Sequence, residues 1–245
     1  MGLWGKSTSA ESRPKFLGGD GAQGAGGAKE DAFATTKGWA LRPGTAASGN
    51  DNTSADPEVL VAIGDLSSTL GAANCLSADF VAGEYARGET FDIVLTFDEA
   101  ITVTSAAWSA DQVISNKVYF NVLNYGPTDM VNDGSMKMQY YAGSGTNKLT
   151  FRGTIPNTAV AGGFIGDPDY SITKDGSAAM VDGNGTTVTV ADLAGSGASG
   201  GADGSSEIFG NAVTKTGSSD FTEETKAGTS SGSAQILKGV TTAVS

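Results

Sequence analysis

Two adjacent carboxylic acids, Asp98 and Glu99, are the first residues of this chain whose types suggest catalysis. Two carboxyl groups can cleave a glycosidic bond when they flank it, one as the acid and the other as base or nucleophile. This pair directly follows an alternating apolar stretch, and neighbouring residues on a strand point to opposite faces of a sheet. We therefore predict that Asp98 and Glu99 form a solvated turn at a strand end and do not catalyse a reaction.

Histidine is absent from the 245 residues. General acid–base catalysis near neutral pH, Ser-His-Asp catalysis and most zinc or copper sites use imidazole, so the composition argues against all three. The single cysteine, Cys75, excludes an intrachain disulfide, and its setting in GAANCLSADF is typical of a small buried thiol. We expect no enzyme activity, no catalytic residue and no cofactor.

Calcium needs only oxygen ligands, and three turn-like stretches contain them. The candidate ligands are Asp129 and Asp133, Asp167 and Asp169, and Asp182 and Asn184. None of these stretches has the spacing of an EF-hand loop. Asp and Asn are common in turns because their side chains bond to their own backbone. We interpret these residues as turn formers and predict no metal site.

A sugar-binding surface would use aromatic rings that stack on the ligand. The candidates are Trp108, Tyr125, Tyr140 and Tyr141. Alternating aromatic residues in strands more often pack in the core or against a neighbouring strand. Packing is therefore the first interpretation of these four residues, and a glycan or receptor surface is the alternative.

The elements that would position these residues are short strands. Apolar residues alternate with polar ones in FDIVLTF and again in KVYFNV, which predicts strands with one buried face. The predicted buried residues are Phe91, Ile93, Leu95 and Phe97 in the first stretch and Val118, Phe120 and Val122 in the second. Further predicted strands are EVLVAI, ITVT, DYSITK, AAMV and TTVTVA, and any helix should be a single turn.

A hairpin is predicted where MKMQYY and KLTFRG are separated by AGSGTN. Gly143 and Gly145 can adopt the positive φ that such a loop requires. The buried face of the hairpin would contain Met136, Met138, Tyr140, Leu149 and Phe151. Short strands with turns between them predict an all-β fold, an antiparallel β-sandwich.

Composition divides the chain into three zones. Residues 58–195 contain nearly all the patterned apolar segments and form the predicted sandwich. Residues 1–57 and 196–245 are rich in Gly, Ser, Ala and Thr, and we predict them to be extended N- and C-terminal arms. In the first arm GWALRP is a strand-like island, and in the second Ile208-Phe209 and Ile236-Leu237 are apolar islands.

Three segments of the middle zone, read in order, resemble the bacterial Ig-like repeats of large surface and adhesion proteins. These are FDIVLTFDEAITVT, MQYYAGSGTNKLTFRGTI and DYSITKDGSAAMVDGNGTTVTV. The resemblance covers less than half of the chain and implies that the sandwich is Ig-like. The sequence departs from the repeat between Ser105 and Ser135, where KVYFNVLNYG is an additional stretch.

The first zone resembles the N-terminal segment of structural proteins in the virions of tailed phages, particularly phages of marine bacteria and cyanobacteria. The matching positions are Trp4, RPKF at residues 13–16, GWALR at 38–42 and EVLVAIG at 58–64. This resemblance implies a virion location and a non-enzymatic structural role. We expect a capsid decoration or cement protein, with two alternatives: a neck, tail or fibre protein, or a cell-surface adhesin-type module that binds a ligand.

The expected partners are other virion proteins, the major capsid protein first, and further copies of the chain. Extended arms have no core of their own, so they become ordered only against a partner. Lone aromatic and cationic residues would anchor them. The predicted partner-binding residues are Trp4, Arg13, Lys15, Phe16, Trp39, Phe209 and Phe221.

Two other classes of partner are not expected. The net charge of -12 opposes binding to nucleic acid, whose phosphates must be neutralised by Lys and Arg. Every apolar stretch is interrupted well before the roughly 20 residues that a bilayer requires, so we expect no membrane partner. We also expect no signal peptide, since residues 1–31 lack a continuous apolar run.

Overall fold

A computed structural model describes residues 31–45, 48, 50–53, 55–70, 72–125, 132–159, 164–168, 172–190, 212–216 and 233–242. These residues form strands and one short helix, α1 (Leu66–Thr69). The strands are β1 (Ala32–Thr35), β2 (Gly38–Leu41), β3 (Glu58–Ala62), β4 (Cys75–Phe80), β5 (Gly83–Tyr85), β6 (Thr90–Thr104), β7 (Val118–Tyr125), β8 (Asn132–Ala142), β9 (Thr146–Thr154), β10 (Phe164–Pro168), β11 (Thr173–Lys174), β12 (Ala179–Val181), β13 (Ala212–Thr216) and β14 (Ser233–Thr242). The all-β prediction is confirmed, and within the described residues the one helix is a single turn, as predicted.

The strands form one mixed sheet in the order β13-β14-β10-β7-β8-β9-β6-β1-β2-β3. Most neighbours are antiparallel, whereas β1 pairs with β6 and β5 with β14 in parallel. The segment 75–85 contains both β4, which pairs with β6, and β5, which pairs with β14. The pairings therefore lead from β6 through β9, β8, β7, β10 and β14 back to this segment. We call these strands the ring.

The main core lies within the ring, and the predicted buried faces supply it. All the predicted core residues of β6 and β7 are between 0% and 1% exposed, as are Met136 and Met138 of β8 and Leu149 and Phe151 of β9. Tyr140 packs against this core while partly buried. The alternation of apolar and polar residues thus correctly predicted which side of each strand faces inward.

The predicted β8–β9 hairpin is confirmed, with Gly143 at φ 105° and Gly145 at φ 83°. Both values lie in the region that favours glycine. A Cβ atom on Gly143 would also lie 2.0 Å from the carbonyl oxygen of Lys148. The loop sequence therefore fixes how β8 turns into β9.

A second, smaller core lies between α1 and the strands β1, β2 and β3, which together we call the α1 unit. Its buried residues are Ala34, Trp39, Leu66 and Leu70, with Val61 and Ile63 packed against them. The unit joins the ring where Ala34 of β1 pairs with Glu99 of β6. The strands predicted at GWALRP and EVLVAI are confirmed as β2 and β3.

The predicted zone boundaries do not separate sheet from arm. Strands β1 and β2 lie within 1–57, and β13 and β14 lie within 196–245. The islands GWALRP and Ile236-Leu237 lie in β2 and β14, but such short islands do not show that β1 pairs with β6 and β14 with β10. Much of the remainder of both zones, including residues 1–30, lies outside the described residues.

Two further strand predictions need correction. ITVT is not a separate strand, because β6 continues through Asp98 and Glu99. From Glu99 onwards it pairs with β1 and β12 in place of β4, and with β9 again at Ile101. TTVTVA forms only an isolated bridge between Val181 and Thr187. DYSITK and AAMV contain the short strands β11 and β12, as predicted.

Candidate functional site

Trp39 is the one predicted anchor that lies among the described residues. Its side chain is 0% exposed and packs in the small core of the α1 unit. A partner cannot reach it in the folded chain, so its assignment as an anchor is wrong. The indole projects from the face of the sheet that α1 covers, where it packs with Leu66 and Leu70. The other predicted anchors, Trp4, Arg13, Lys15, Phe16, Phe209 and Phe221, lie outside the described residues.

A group of aromatic and charged side chains, partly buried except for Tyr141, lies on the outer face of β6, β8 and β9 and on the loop that follows β6. Tyr141 is 47% exposed, and its ring meets that of Trp108 edge to face, with 6.3 Å between the centroids. The guanidinium carbon of Arg152 lies 3.8 Å from the Tyr141 centroid and 5.9 Å from that of Trp108. We call Asp92, Trp108, Tyr141 and Arg152 the Tyr141 surface.

Asp92 holds the guanidinium of Arg152 in place. The Nε and Nη2 groups of Arg152 donate to the two carboxylate oxygens, each over 2.6 Å. Hydrogen bonding to Asp92 is the largest of the causes that raise the pKa of Arg152 above its ordinary value. The result is a fixed planar cation stacked on an exposed ring, with its charge balanced by Asp92.

Trp108 is positioned by the loop at residues 105–117, which is fastened to a buried glutamine of β8. Gln139 is 0% exposed; its Nε2 donates to the carbonyl of Ser109 over 3.0 Å, and its Oε1 accepts from the Ser109 N–H over 3.1 Å. Lys117 Nζ donates to Gln139 Oε1 and to Ser109 Oγ, each over 2.6 Å. Burial lowers the pKa of Lys117, while nearby Asp111 acts in the opposite direction.

The structure brings two of the four candidate aromatics together on this surface. Tyr140 packs instead edge to face on Phe151, and its hydroxyl accepts a hydrogen bond from the Ser144 N–H over 2.7 Å. The side chain of Tyr125 lies outside the described part of the chain. The packing interpretation is thus correct for Tyr140, and the exposed position favours the surface interpretation for Tyr141.

The solvated turn predicted at Asp98 and Glu99 is wrong, because both residues are buried within β6. Asp98 is 3% exposed and accepts hydrogen bonds from the backbone N–H and side-chain amide of Asn74, each over 2.9 Å. Glu99 is 0% exposed, and neither of its carboxylate oxygens has a hydrogen-bond partner. The two neighbours therefore have different surroundings.

The residues weighed as calcium ligands are turn formers where the structure describes them. Asp182 Oδ1 accepts from the backbone N–H groups of Asn184 and Thr186, over 2.9 and 2.8 Å. Among the described residues no group of three or more His, Cys, Asp or Glu is arranged to hold a metal ion. The side chains of Asp129, Asp133, Asp167 and Asp169 lie outside that part of the chain.

The single cysteine is half-buried, and its Sγ donates to the carbonyl of Ser77 over 3.8 Å. Burial raises the pKa of the Cys75 thiol to about 12. The thiolate is the nucleophilic form of cysteine, so Cys75 remains an unreactive thiol at neutral pH.

Sequence reasoning did not identify Asp92, Arg152, Gln139 or Lys117 as parts of a site. Asp92 and Arg152 occupy polar positions of alternating stretches, directly opposite each other in the β6–β9 register. Aligning the two stretches by their apolar residues would have paired them. The sequence has no comparable signal for the hydrogen bonds of Gln139 to Ser109 and Lys117, because these partners lie on an irregular loop.

No protein-family model matches the chain, and neither a curated protein nor a solved structure matches it. Among the described residues, no helix has the length and apolar character needed to cross a bilayer.

Proposed function

We propose that the protein is a non-enzymatic structural protein of a tailed-phage virion that decorates or cements the capsid. One observation supports this proposal above the others. The two longer segments that resemble phage structural proteins, residues 38–42 and 58–64, lie side by side as β2 and β3, where Trp39 pairs with Val61 and Leu41 with Glu58. Two segments that pair in one structural unit depend on each other, so related proteins are expected to keep both. Their pairing therefore favours a true resemblance over two coincidental matches.

The same unit offers a place for a neighbouring subunit. Strand β3 is last in the sheet order, so one of its edges faces no other described strand. Its residues Glu58, Val59 and Ala62 are exposed, Val59 by 40%. Open strand edges pair readily with an extended segment of another chain. In the proposal, an extended segment of the major capsid protein or of another copy pairs along β3.

The proposed domain is an Ig-like sandwich, on the strength of the three segments that resemble bacterial Ig-like repeats. The first segment forms most of β6, the second the β8–β9 hairpin, and the third contains β11 and β12. A compact β domain of this kind suits a protein that lies on a shell and joins its subunits.

Binding to capsids assembled without the protein tests the proposal. Purified protein should saturate sites over the whole shell, counted by quantitative mass spectrometry and located by cryo-electron microscopy. Val59→Lys should weaken this binding, since a lysine on an edge strand opposes pairing. Val81→Lys is the matched control, because Val81 is 73% exposed but lies between β4 and β5. Density confined to one vertex would favour the neck or tail alternative, and no binding to particles would contradict both.

The Tyr141 surface favours a second candidate function, an adhesin-type module that binds a neutral glycan. An exposed aromatic ring beside a fixed pair of polar groups can stack on a sugar and bond to its hydroxyls. The Asp92–Arg152 pair carries no net charge, and the chain as a whole is strongly negative, so an uncharged sugar fits better than an acidic one. An array of neutral and acidic oligosaccharides tests this directly.

Tyr141→Ala should abolish any glycan signal. Tyr119→Ala is the matched control, because Tyr119 also lies beneath a cation, Lys137, at 5.6 Å, but belongs to another strand. Equal signals from both variants, or none from the native protein, would exclude this function.

A further inference from the structure

Glu99 lies in a row of paired residues that runs from the ring into the α1 unit. Glu99 pairs with Ala34, Ala34 with Trp39, and Trp39 with Val61. Paired residues of neighbouring strands project from the same face of a sheet. Ala34 and Trp39 pack beneath α1, so the Glu99 carboxyl group points towards the small apolar core of the α1 unit.

This carboxyl group is enclosed without a partner. Both of its oxygens are buried and unbonded, as are Trp39 Nε1 in the same row and Ser67 Oγ on α1. An ionised carboxylate in such surroundings is far more costly than a protonated one. The geometry thus favours the neutral acid.

The charged groups that act on Glu99 have the same sign as its own ionised form. They are Asp98, beside it on β6, and Asp182, in the turn after β12, and both are buried. From β1 and β2 the row contributes Ala34 and Trp39, and from α1 come Leu66 and Ser67, none of which is charged. Lys37 and Asp65, the ionisable residues nearest along the α1 unit, are exposed.

Burial is the first cause that raises the pKa of Glu99, to about 7, and the charges of Asp182 and Asp98 add to it. The N–H of Gly183 acts in the opposite direction but does not reach hydrogen-bond geometry with either oxygen. A carboxyl group with an ordinary environment would instead titrate near pH 4.5.

Glu99 also lies where the α1 unit contacts β6 of the ring and the turn after β12, which pairs with β6. Ser68 Oγ donates to the carbonyl of Gly183 over 3.0 Å. Gly183 approaches α1 so closely that a Cβ atom on it would lie 2.1 Å from Ser67 Oγ. The parallel pairing of Ala34 with Glu99 completes the junction. A charge that appears at Glu99 therefore acts on the contacts that hold the two parts together.

We propose that Glu99 is a pH-sensitive latch, which holds the α1 unit on the ring while it is protonated and loosens it when it ionises. The proposal does not depend on the protein's being a virion component. The carboxyl group has a raised pKa in the docked state and an ordinary one when the unit opens. Docking is thus strongest below about pH 4.5, weakens as the pH rises to about 7, and changes little above that.

Hydrogen exchange of the full chain, corrected for the intrinsic pH dependence of exchange, measures how readily the α1 unit opens at each pH. The opening equilibrium constant of β1 and β2 is divided by that of β9, a strand of the ring. This ratio should rise by up to about tenfold per pH unit between pH 4.5 and 7. Glu99→Gln, which cannot ionise, should remove the rise. Glu84→Gln is the control, because Glu84 is an exposed residue of β5 and its variant should behave as the native protein does.

An equal rise in Glu99→Gln and the native protein would overturn the proposal. Should Glu99→Gln fail to fold, Asp182→Asn provides a second test. Removing that charge should lower the pKa of Glu99, measured by carbon NMR of the carboxyl group, and shorten the pH range of loosening. A Glu99 pKa near 4.5 in the native protein would also overturn the latch.

Discussion

Asp92 and Arg152 face each other across β6 and β9 and are joined by two hydrogen bonds of 2.6 Å. Because Arg152 also stacks on Tyr141, the pair connects the sheet to the exposed aromatic surface. The side chains are 24% and 37% exposed for Arg152 and Asp92, so solvent weakens their attraction. Their main effect is therefore to orient Tyr141 and Trp108.

The first prediction concerns this pair. Arg152→Ala should destabilise the protein by about 1–2 kcal/mol, the sum of a partly exposed ion pair and the cation–π contacts with Tyr141 and Trp108. Arg152→Lys should lose part of that stability, since an ammonium group cannot bond to both carboxylate oxygens in the same fork. Urea unfolding checks both values. Unchanged stability in Arg152→Ala would mean that the pair contributes nothing.

A second prediction concerns the inner face of β9. Leu149→Asp or Phe151→Asp should unfold the ring, because each would place an unpaired charge at a position that is 0% exposed. Lys148→Asp should have little effect, since Lys148 lies on the opposite face and is only half-buried. Circular dichroism and thermal melting distinguish the three variants, and similar melting temperatures for all three would refute the assigned face.

The β8–β9 loop permits a matched comparison of two glycines. Gly143→Ala should be the more damaging change, because it combines an unfavourable φ with a Cβ atom only 2.0 Å from the Lys148 carbonyl oxygen. Gly145 has a similar positive φ but no atom within 4 Å of an added Cβ. We expect Gly145→Ala to cost about 1 kcal/mol and Gly143→Ala clearly more. Equal losses in chemical denaturation would show that the close approach is relieved without cost.

Sequence periodicity predicted the inner faces of β6, β7, β8 and β9 because one face of each strand is buried and the other is polar. It did not predict β1, whose four residues AFAT are too few to show a pattern, or the sheet positions of β13 and β14, which depend on the pairing of β14 with distant strands. Glu99 illustrates the same limit. Its burial depends on Ala34, far away in the chain, whereas the local pattern suggested a strand end at Phe97.

For the candidate site too, the sequence indicated some of the residues but not the contacts between them. Trp108 and Tyr141 could be named from their residue types, but the contact between them depends on a loop that Gln139 and Lys117 fasten in place. Trp39 was misassigned because a lone tryptophan in a Gly-rich zone looks exposed when its pairing partners are unknown. In the fold, Leu66 and Leu70 of the α1 unit cover it.

Deletion of residues 1–17 tests most directly whether attachment to the capsid requires the predicted N-terminal anchors in addition to the edge of β3. This stretch contains Trp4, Arg13, Lys15 and Phe16, the predicted anchors of the N-terminal zone, and its sequence has no apolar pattern that would form a core. Full-length and truncated protein are compared for binding to capsids that lack the protein, with melting curves recorded in parallel. We expect a nearly unchanged melting temperature and a severe loss of incorporation, because the remaining contact would bury too little surface to hold. Undiminished incorporation of the truncated protein would contradict attachment through this segment.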